Sequence, residues 1–89
     1  MRLVWDNAAE ADREEIFAYI EQYNPRAALK LDALFEKTAA ALAEVPFMGH
    51  ASRTPGTREL VLRRYILYYE ITEDAVRILR ILHTARQRP

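Results

Sequence analysis

Residues 58–83 read RELVLRRYILYYEITEDAVRILRILH, and their apolar side chains recur at every second position or in unbroken runs. An apolar period of two is typical of β-strands, whereas amphipathic helices repeat every three or four residues. The stretch divides into three predicted strands: Arg58–Leu62, Tyr65–Ile71 and Ala75–His83, with turns at Arg63-Arg64 and Thr72-Glu73-Asp74. Connections this short predict an antiparallel meander. The nearly continuous aromatic and apolar run of the middle strand predicts that this strand is covered on both faces.

Upstream of these strands the apolar period lengthens, which predicts two helices. The first follows Asn7, which with Glu10 resembles a capping box. Apolar residues fall near one of its faces, namely Ala9, Ile16, Phe17 and Ile20. Its acidic residues are expected to face largely away: Asp12, Glu14, Glu15 and Glu21.

The second helix is predicted from about Pro25 to Glu44. Asn24 is its expected N-cap, and Pro25 occupies the first helical position, where its missing N–H costs nothing. One apolar stripe runs along it at spacings of three and four: Leu31, Leu34, Phe35, Thr38, Leu42 and Val45. Two successive helices with such stripes predict an antiparallel hairpin that needs another layer to cover it.

A short strand from Met1 to Trp5 precedes the helices, and a loop from Phe47 to Thr57 follows them. The predicted order is therefore β-α-α-β-β-β. This is an α+β fold, with a helical hairpin packed on one face of a small antiparallel sheet. A length of 89 residues predicts one domain spanning residues 1–89.

The formal net charge of zero hides a division along the chain. Residues 1–45 contain five basic and nine acidic residues, a net charge of −4. Residues 46–89 contain eight arginines, no lysine and four acidic residues, a net charge of +4. A net charge of zero excludes long-range attraction of the whole molecule to an anion, but it is compatible with a local basic surface.

Several classes of site have little support. The chain has no cysteine, so it has no disulfide or thiolate chemistry, and this composition fits the cytoplasm. His50 and His83 lack metal-ligand spacing, and Ser52, the only serine, has no aspartate near it in sequence. No apolar run approaches the length of a membrane span. The sequence predicts no metal, no cofactor and no membrane contact.

The arginines of the predicted sheet are the remaining candidates for function. The guanidinium group is a permanent cation whose fork geometry suits phosphate. Two interpretations stay open, because the same arginines could solubilise a half-exposed sheet by pairing with Glu59, Glu70 and Glu73. His83 is either a general acid/base or a structural imidazole at a strand end. The tyrosines at 65, 68 and 69 either stack on bases or donate protons, or they belong to the core.

Motifs along nearly the whole chain resemble those of the RelE/ParE superfamily, the toxins of type II toxin–antitoxin systems. In the sheet half they are Pro55-Gly56-Thr57-Arg58-Glu59-Leu60, Tyr65-Ile66-Leu67-Tyr68-Tyr69 and Val76-x-Ile78-Leu79-x-x-Leu82-His83-x-x-Arg86-x-x-Pro89. Upstream of Pro55 they are Ala11-Asp12, Ile16-x-x-Tyr19-Ile20, Asn24-Pro25-x-Ala27-Ala28 and Pro46-x-Met48-Gly49. The resemblance implies the same fold, a helical hairpin on an antiparallel sheet.

The superfamily has two mechanisms. RelE-type members cut mRNA on the ribosome, and ParE-type members poison DNA gyrase. The ribonucleases place an arginine where this chain has Ile66, with Arg64 two residues earlier. The chain is therefore identified as closer to the ParE side, a gyrase inhibitor. The alternatives are a metal-independent mRNA endoribonuclease of the RelE type and a degenerate member that only binds its antitoxin.

The resemblance also implies residues and partners. Candidate catalytic residues are Arg58 and Arg86, to stabilise charge on a scissile phosphate, and His83, to move protons. Target contacts are expected at Arg58, Arg64, Tyr68, Arg80 and Arg86. A cognate antitoxin, encoded next to this gene, is expected to cover the apolar stripe at Ile20, Leu31, Leu34 and Phe35. Operator DNA is expected to bind only through that antitoxin.

Overall fold

A computed structural model describes residues 1–86 of the chain, and for Arg86 it describes the backbone only. The elements are β1 (Arg2–Trp5), α1 (Asn7–Glu21), α2 (Pro25–Glu44), β2 (His50–Ala51), β3 (Arg58–Leu62), β4 (Tyr65–Ile71) and β5 (Ala75–His83), with 3₁₀ turns at Pro46–Met48 and Thr84–Arg86. The predicted bounds of α2, β3, β4 and β5 are confirmed. The α+β fold, a helical hairpin on a sheet, is confirmed as well.

The sheet is mixed rather than purely antiparallel. Its strand order is β1-β5-β4-β3-β2, and the meander β3-β4-β5 is antiparallel as predicted. However, β1 pairs in parallel with β5, from Arg2 opposite Ala75 to Trp5 opposite Ile78. The helical hairpin connects β1 to the meander, and a crossover of that kind permits parallel pairing. Strand β2 lies inside the predicted loop, because a two-residue strand has no readable period.

A β-bulge in β5 decides which residues of that strand face the helices. Tyr68 lies opposite Arg80 and Tyr69 lies opposite Ile78, so Leu79 is the extra residue. Ile81 consequently joins Val76 and Ile78 on the helix-facing side. The core cluster comprises Ala9, Phe35, Ala39, Leu42, Leu67, Tyr69, Val76, Ile78 and Ile81.

The two helix starts differ from each other in how they are capped. The predicted capping box at Asn7 and Glu10 is wrong, because Asp6 is the N-cap and makes no side-chain cap bond. Its carboxylate instead accepts a hydrogen bond of 2.6 Å from Arg77 Nε. The predicted cap of α2 is confirmed, since Asn24 Oδ1 accepts a bond of 3.0 Å from the N–H of Ala27.

Arg13 joins the two helices to the edge of the sheet. Its Nε and Nη2 donate to the two carboxylate oxygens of Asp32 at 3.0 and 2.8 Å, and its guanidinium lies 4.6 Å from the centre of the Trp5 ring. The hydrogen bonds that Arg13 donates to Asp32 raise the pKa of Arg13. At the other end of α2, Val45 is 56% exposed and does not belong to the buried stripe as predicted. Within residues 1–86, none of the helices is both long and apolar enough to cross a bilayer.

Candidate functional site

A buried tyrosine fixes the turn that follows α2. The Tyr69 side chain is fully buried, and its hydroxyl donates to the carbonyl of Pro46 at 2.7 Å. The same oxygen accepts a 3.1 Å bond from the N–H of Gly49. A Cβ on Gly49 would lie 2.5 Å from the Glu59 carbonyl oxygen and 2.7 Å from the Tyr69 hydroxyl, so this close approach requires glycine.

Arg58 closes the same turn from the sheet side. Its Nη2 donates to the Gly49 carbonyl at 2.6 Å, and its Nε donates to the Tyr69 hydroxyl at 3.4 Å. The guanidinium lies 4.9 Å from the centre of the Phe47 ring, a cation–π arrangement. Phe47 is nevertheless 72% exposed. Arg58 therefore contributes to the architecture of the turn and holds an exposed aromatic ring above it.

Tyr69→Phe is expected to lower the free energy of unfolding by about 1–3 kcal/mol, because the N–H of Gly49 and the carbonyl of Pro46 lose a buried partner. Tyr23→Phe is the matched control, since Tyr23 is 74% exposed and should change stability by less than about 0.5 kcal/mol. Urea unfolding followed by circular dichroism measures both. Equal stability of the two variants would contradict the role of the Tyr69 hydroxyl.

The face of the sheet away from the helices forms an open groove of about 940 Å³. Glu59, Tyr68 and Arg80 lie side by side across it on β3, β4 and β5. The groove is lined by Ser52, Arg53, Thr54, Thr57, Glu59, Tyr68, Leu79, Arg80, Leu82 and Thr84. Burial, and secondarily the Glu59 carboxylate, raise the pKa of Tyr68, so its phenol remains protonated at neutral pH.

Carboxylates of the helical half neutralise the arginines of β5. Arg80 donates through Nε and Nη2 to the two Asp12 carboxylate oxygens at 2.8 and 3.1 Å. These bonds raise the pKa of Arg80. Arg77 pairs with Asp6 through one bond, from its Nε to Asp6 Oδ1 at 2.6 Å. The interpretation of these arginines as paired cations is therefore correct for Arg77 and Arg80, but the salt-bridge partners are Asp6 and Asp12 rather than the glutamates of the sheet.

Asp12 also completes the edge of the sheet. Strand β1 pairs with β5 only as far as Ile78, so beyond that residue β5 has no strand on its outer edge. There the Asp12 carboxylate accepts a 2.8 Å bond from the N–H of Ile81. The side chain of Asp12 is only 12% exposed, so the expectation that it faces away from the sheet is wrong.

Comparisons with known proteins identify the family of the chain. A family model described as the ParE toxin of the type II toxin–antitoxin system parDE matches residues 3–88. The chain belongs to the ParE toxin family. The solved structure of the chromosomal ParDE toxin–antitoxin system of P. aeruginosa superimposes on this ParE-family chain with a TM-score of 0.84 at 26% identity, covering 93% of this chain and 95% of that one.

Relatives of this ParE-family chain carry toxin names, and one of the two described next has a RelE name. The toxin-named protein Y4kP of Sinorhizobium fredii is 41% identical over 99% of this chain and 93% of its own length. Toxin RelE2 of Caulobacter vibrioides is 37% identical over 96% of this chain and 97% of its own length. The RelBE2 toxin–antitoxin complex of Mycobacterium tuberculosis shares the fold, with a TM-score of 0.65 at 24% identity, covering 92% of this chain and 95% of that chain.

The fold does not bring together Arg58 and His83, two of the three candidate catalytic residues of this ParE-family chain. Arg58 lies opposite Tyr69 and His83 lies opposite Tyr65, which separates them by roughly 13 Å along the strand direction. Neither lines the groove. The His83 ring packs edge-on against Tyr65 at 5.3 Å, and its Nδ1 accepts a bond of 3.1 Å from the N–H of Ala85. The side chain of Arg86 lies outside the described residues.

The other predicted site residues have different environments. Arg64 is exposed at the β3–β4 turn, while Tyr68 and Arg80 line the groove. Ile20, Leu31 and Leu34 are half-buried, so each retains some surface for a partner. Phe35 is 1% exposed and packs edge-on against Tyr65 at 5.5 Å. Its place in the predicted antitoxin surface is therefore wrong, because a core side chain has no surface to offer.

The sequence did not identify Asp12 or Tyr69 as residues whose side chains bond backbone groups far along the chain. Both stood within motifs quoted for the superfamily, but their types gave no sign of a bond to a distant backbone group. The spacing of Pro46 and Gly49 was the one available signal, because a proline and a glycine three residues apart indicate a tight turn. Among residues 1–86, no three histidine, aspartate or glutamate side chains are grouped so that they could hold a metal ion.

Proposed function

We propose that this chain is a cytoplasmic ParE-like toxin that inhibits DNA gyrase and is kept inactive by a cognate antitoxin encoded next to it. Membership of the ParE family supports the toxin activity. The observation that supports the choice of gyrase is the charge of the groove. Arg80, the arginine that β5 contributes to it, is neutralised by Asp12. Gyrase is a protein target, and it does not require the toxin to surround a scissile phosphate with cations.

The groove is poorly suited to cleaving RNA. Two arginines line it: Arg80 is bonded to both oxygens of Asp12, and only the exposed Arg53 has no ion pair among the described residues. Glu59 beside Tyr68 places a carboxylate on the same surface. A carboxylate there repels an approaching phosphate, and phosphoryl chemistry requires the opposite field. Ile66, at the position where the ribonucleases of the superfamily have an arginine, is 1% exposed and apolar.

The antitoxin is proposed to cover apolar surface on the helical hairpin. The ParDE and RelBE2 structures, to which this chain is similar, are both toxin–antitoxin systems. Ile20, Leu31 and Leu34 are half-buried along the hairpin, and an amphipathic or extended segment is the kind of partner that covers such a surface. Operator DNA is then contacted through the antitoxin. Co-expression with the neighbouring open reading frame is expected to remove growth arrest, and no rescue by either neighbour would contradict this part.

The gyrase proposal predicts that purified protein stabilises cleaved DNA. When the protein is incubated with gyrase, ATP and supercoiled plasmid, linear plasmid is expected to accumulate once gyrase has been denatured. When it is incubated with programmed ribosomes, the mRNA is expected to remain intact. A Leu42→Asp variant, which should not fold, is the matched negative control. Codon-phased mRNA cuts without trapped DNA would overturn the proposal, and inactivity in both assays together with absence of growth arrest would indicate a member that only binds its antitoxin.

A ribosome-dependent endoribonuclease is the second candidate, because a relative of this chain is named Toxin RelE2. In that case Arg58 and Arg86 would stabilise phosphate charge and His83 would transfer the proton. The bond from Ala85 to Nδ1 places the proton of neutral His83 on Nε2. The distance between Arg58 and His83 disfavours this candidate, since one phosphate would have to contact both.

A further inference from the structure

Among the described residues, the arginines of β3 and β5 are engaged within the fold, whereas Arg53 in the loop before β3 and two arginines at one end of the sheet have no ion pair. Arg77 and Arg80 pair with Asp6 and Asp12, and Arg58 bonds the turn around Gly49. Two adjacent arginines, Arg63 and Arg64, form the β3–β4 turn and are exposed. Neither has a carboxylate within ion-pair distance among the described residues.

This end of the sheet contains no acidic residue from the strands that form it. Residues 60–69 and 75–89 include neither aspartate nor glutamate. The end of β5 lies beside the turn, because the N–H of Thr84 donates to the Arg64 carbonyl at 2.8 Å and His83 lies opposite Tyr65. Arg63, Arg64, His83 and the backbone of the Thr84–Arg86 turn thus form one surface, the "sheet tip".

Arg63 occupies this turn at a conformational cost. Its φ is +59°, and it is the only residue other than glycine with a positive φ in the described chain. That region favours glycine, because the Cβ of other residues approaches the following carbonyl. The Arg63 side chain makes no hydrogen bond or ion pair with the described residues, so no such contact compensates for the strain of its backbone. A strained, exposed and unpaired cation points to a contact outside the molecule.

We propose that the sheet tip binds the phosphodiester backbone of a nucleic acid present in the target complex. Paired guanidinium groups on a projecting turn suit phosphate oxygens, which accept the parallel bonds of the arginine fork. Arginine is also enriched at protein–protein interfaces, so competition by an acidic polypeptide is needed to separate the two kinds of partner. The inference goes beyond the proposed function, because it holds whether the phosphates belong to the DNA bound by gyrase or to ribosomal RNA and mRNA.

The test measures binding to short fluorescent DNA and RNA duplexes by anisotropy over a range of low salt concentrations. A variant that binds one phosphate fewer than the parent should have a slope of log K against log salt that is shallower by about 0.9 on DNA. Arg63→Gly and Arg64→Gln are expected to have shallower slopes, whereas Arg63→Lys should keep the parental slope. Arg26→Gln is the matched control, because Arg26 is an exposed arginine in the acidic half and its replacement changes the net charge equally.

Thermal unfolding separates this role from a structural one. Arg63→Gly should melt at a temperature at least as high as the parent, since glycine accepts the positive φ, while its binding to nucleic acid falls. Slopes equal to that of Arg26→Gln would overturn the proposal, as would competition by polyglutamate as strong as that by nucleic acid. A preference for the DNA or the RNA duplex identifies the source of the phosphates. If nucleic acid binds through the sheet tip but the protein does not inhibit gyrase, only the proposed function is refuted.

Discussion

Leu42→Asp is expected to abolish cooperative folding. Leu42 is 0% exposed and lies in the core cluster where α2 meets the sheet, in the same cluster as Phe35 and Leu67. An aspartate there either buries an unpaired charge or remains protonated without a partner, at a cost of several kcal/mol. Removal of the leucine packing adds roughly 2–5 kcal/mol. Small domains have only about 5–15 kcal/mol of stability in total, so the sum approaches or exceeds that margin.

Far-ultraviolet circular dichroism during thermal unfolding tests this expectation. Leu34→Asp should destabilise much less, because Leu34 is half-buried and its new carboxylate can reach water. The apolar stripe predicted from the sequence treated both leucines as equivalent, and the structure separates them. Leu29→Asp, at a position 63% exposed on the same helix, should lie within about 0.5 kcal/mol of the parent. A cooperative transition of parental midpoint for Leu42→Asp would contradict the described core.

Asp12→Ala is expected to cost about 2–4 kcal/mol, the second largest effect among these variants. The bidentate pair with Arg80 contributes the smaller part, because the Arg80 side chain is 49% exposed and exposed ion pairs contribute about 1 kcal/mol or less. The larger part comes from the N–H of Ile81, which loses its partner in a part-buried position at a cost of about 1–3 kcal/mol.

A double-mutant cycle separates these two contributions. Arg80→Gln removes the ion pair but leaves the Asp12 bond to Ile81, so it should cost about 1 kcal/mol or less. Combining Arg80→Gln with Asp12→Ala should then add little to Asp12→Ala alone. Glu15→Ala controls for removal of an exposed acid from the same helix, and urea unfolding measures the set. If Arg80→Gln were as costly as Asp12→Ala, the salt bridge rather than the strand edge would be the stabilising contact.

The function-bearing residues were harder to predict than the elements that carry them. Arg58 fits a phosphate-binding role by its type, yet its Nη2 bonds the carbonyl of Gly49. Arg80 fits the same role, yet Asp12 neutralises it. Residue type reports what a side chain is able to bind, whereas the partner that it does bind is determined by which groups the fold places beside it.

The β5 bulge shows the same limit at the level of the fold. Strict alternation along Ala75–His83 would have placed Arg80 on the same face as Val76 and Ile78. The extra residue, Leu79, instead turns Ile81 into the core and Arg80 into the groove. The apolar residues of this strand come in adjacent pairs separated by Arg77 and Arg80, so its pattern is compatible with either register, and packing against the helices selects one.

The sequence by itself determined the ends of α2, β3, β4 and β5, the antiparallel meander and the α+β class. These depend on interactions between residues close in the chain: the Asn24 cap, the change of apolar period and the short turns. It also divided the charge into an acidic half and an arginine half. Only the tertiary structure decided that the two halves neutralise each other, through Arg77 with Asp6 and Arg80 with Asp12. Those partners are 71 and 68 residues apart, and no local pattern specifies a contact over that distance.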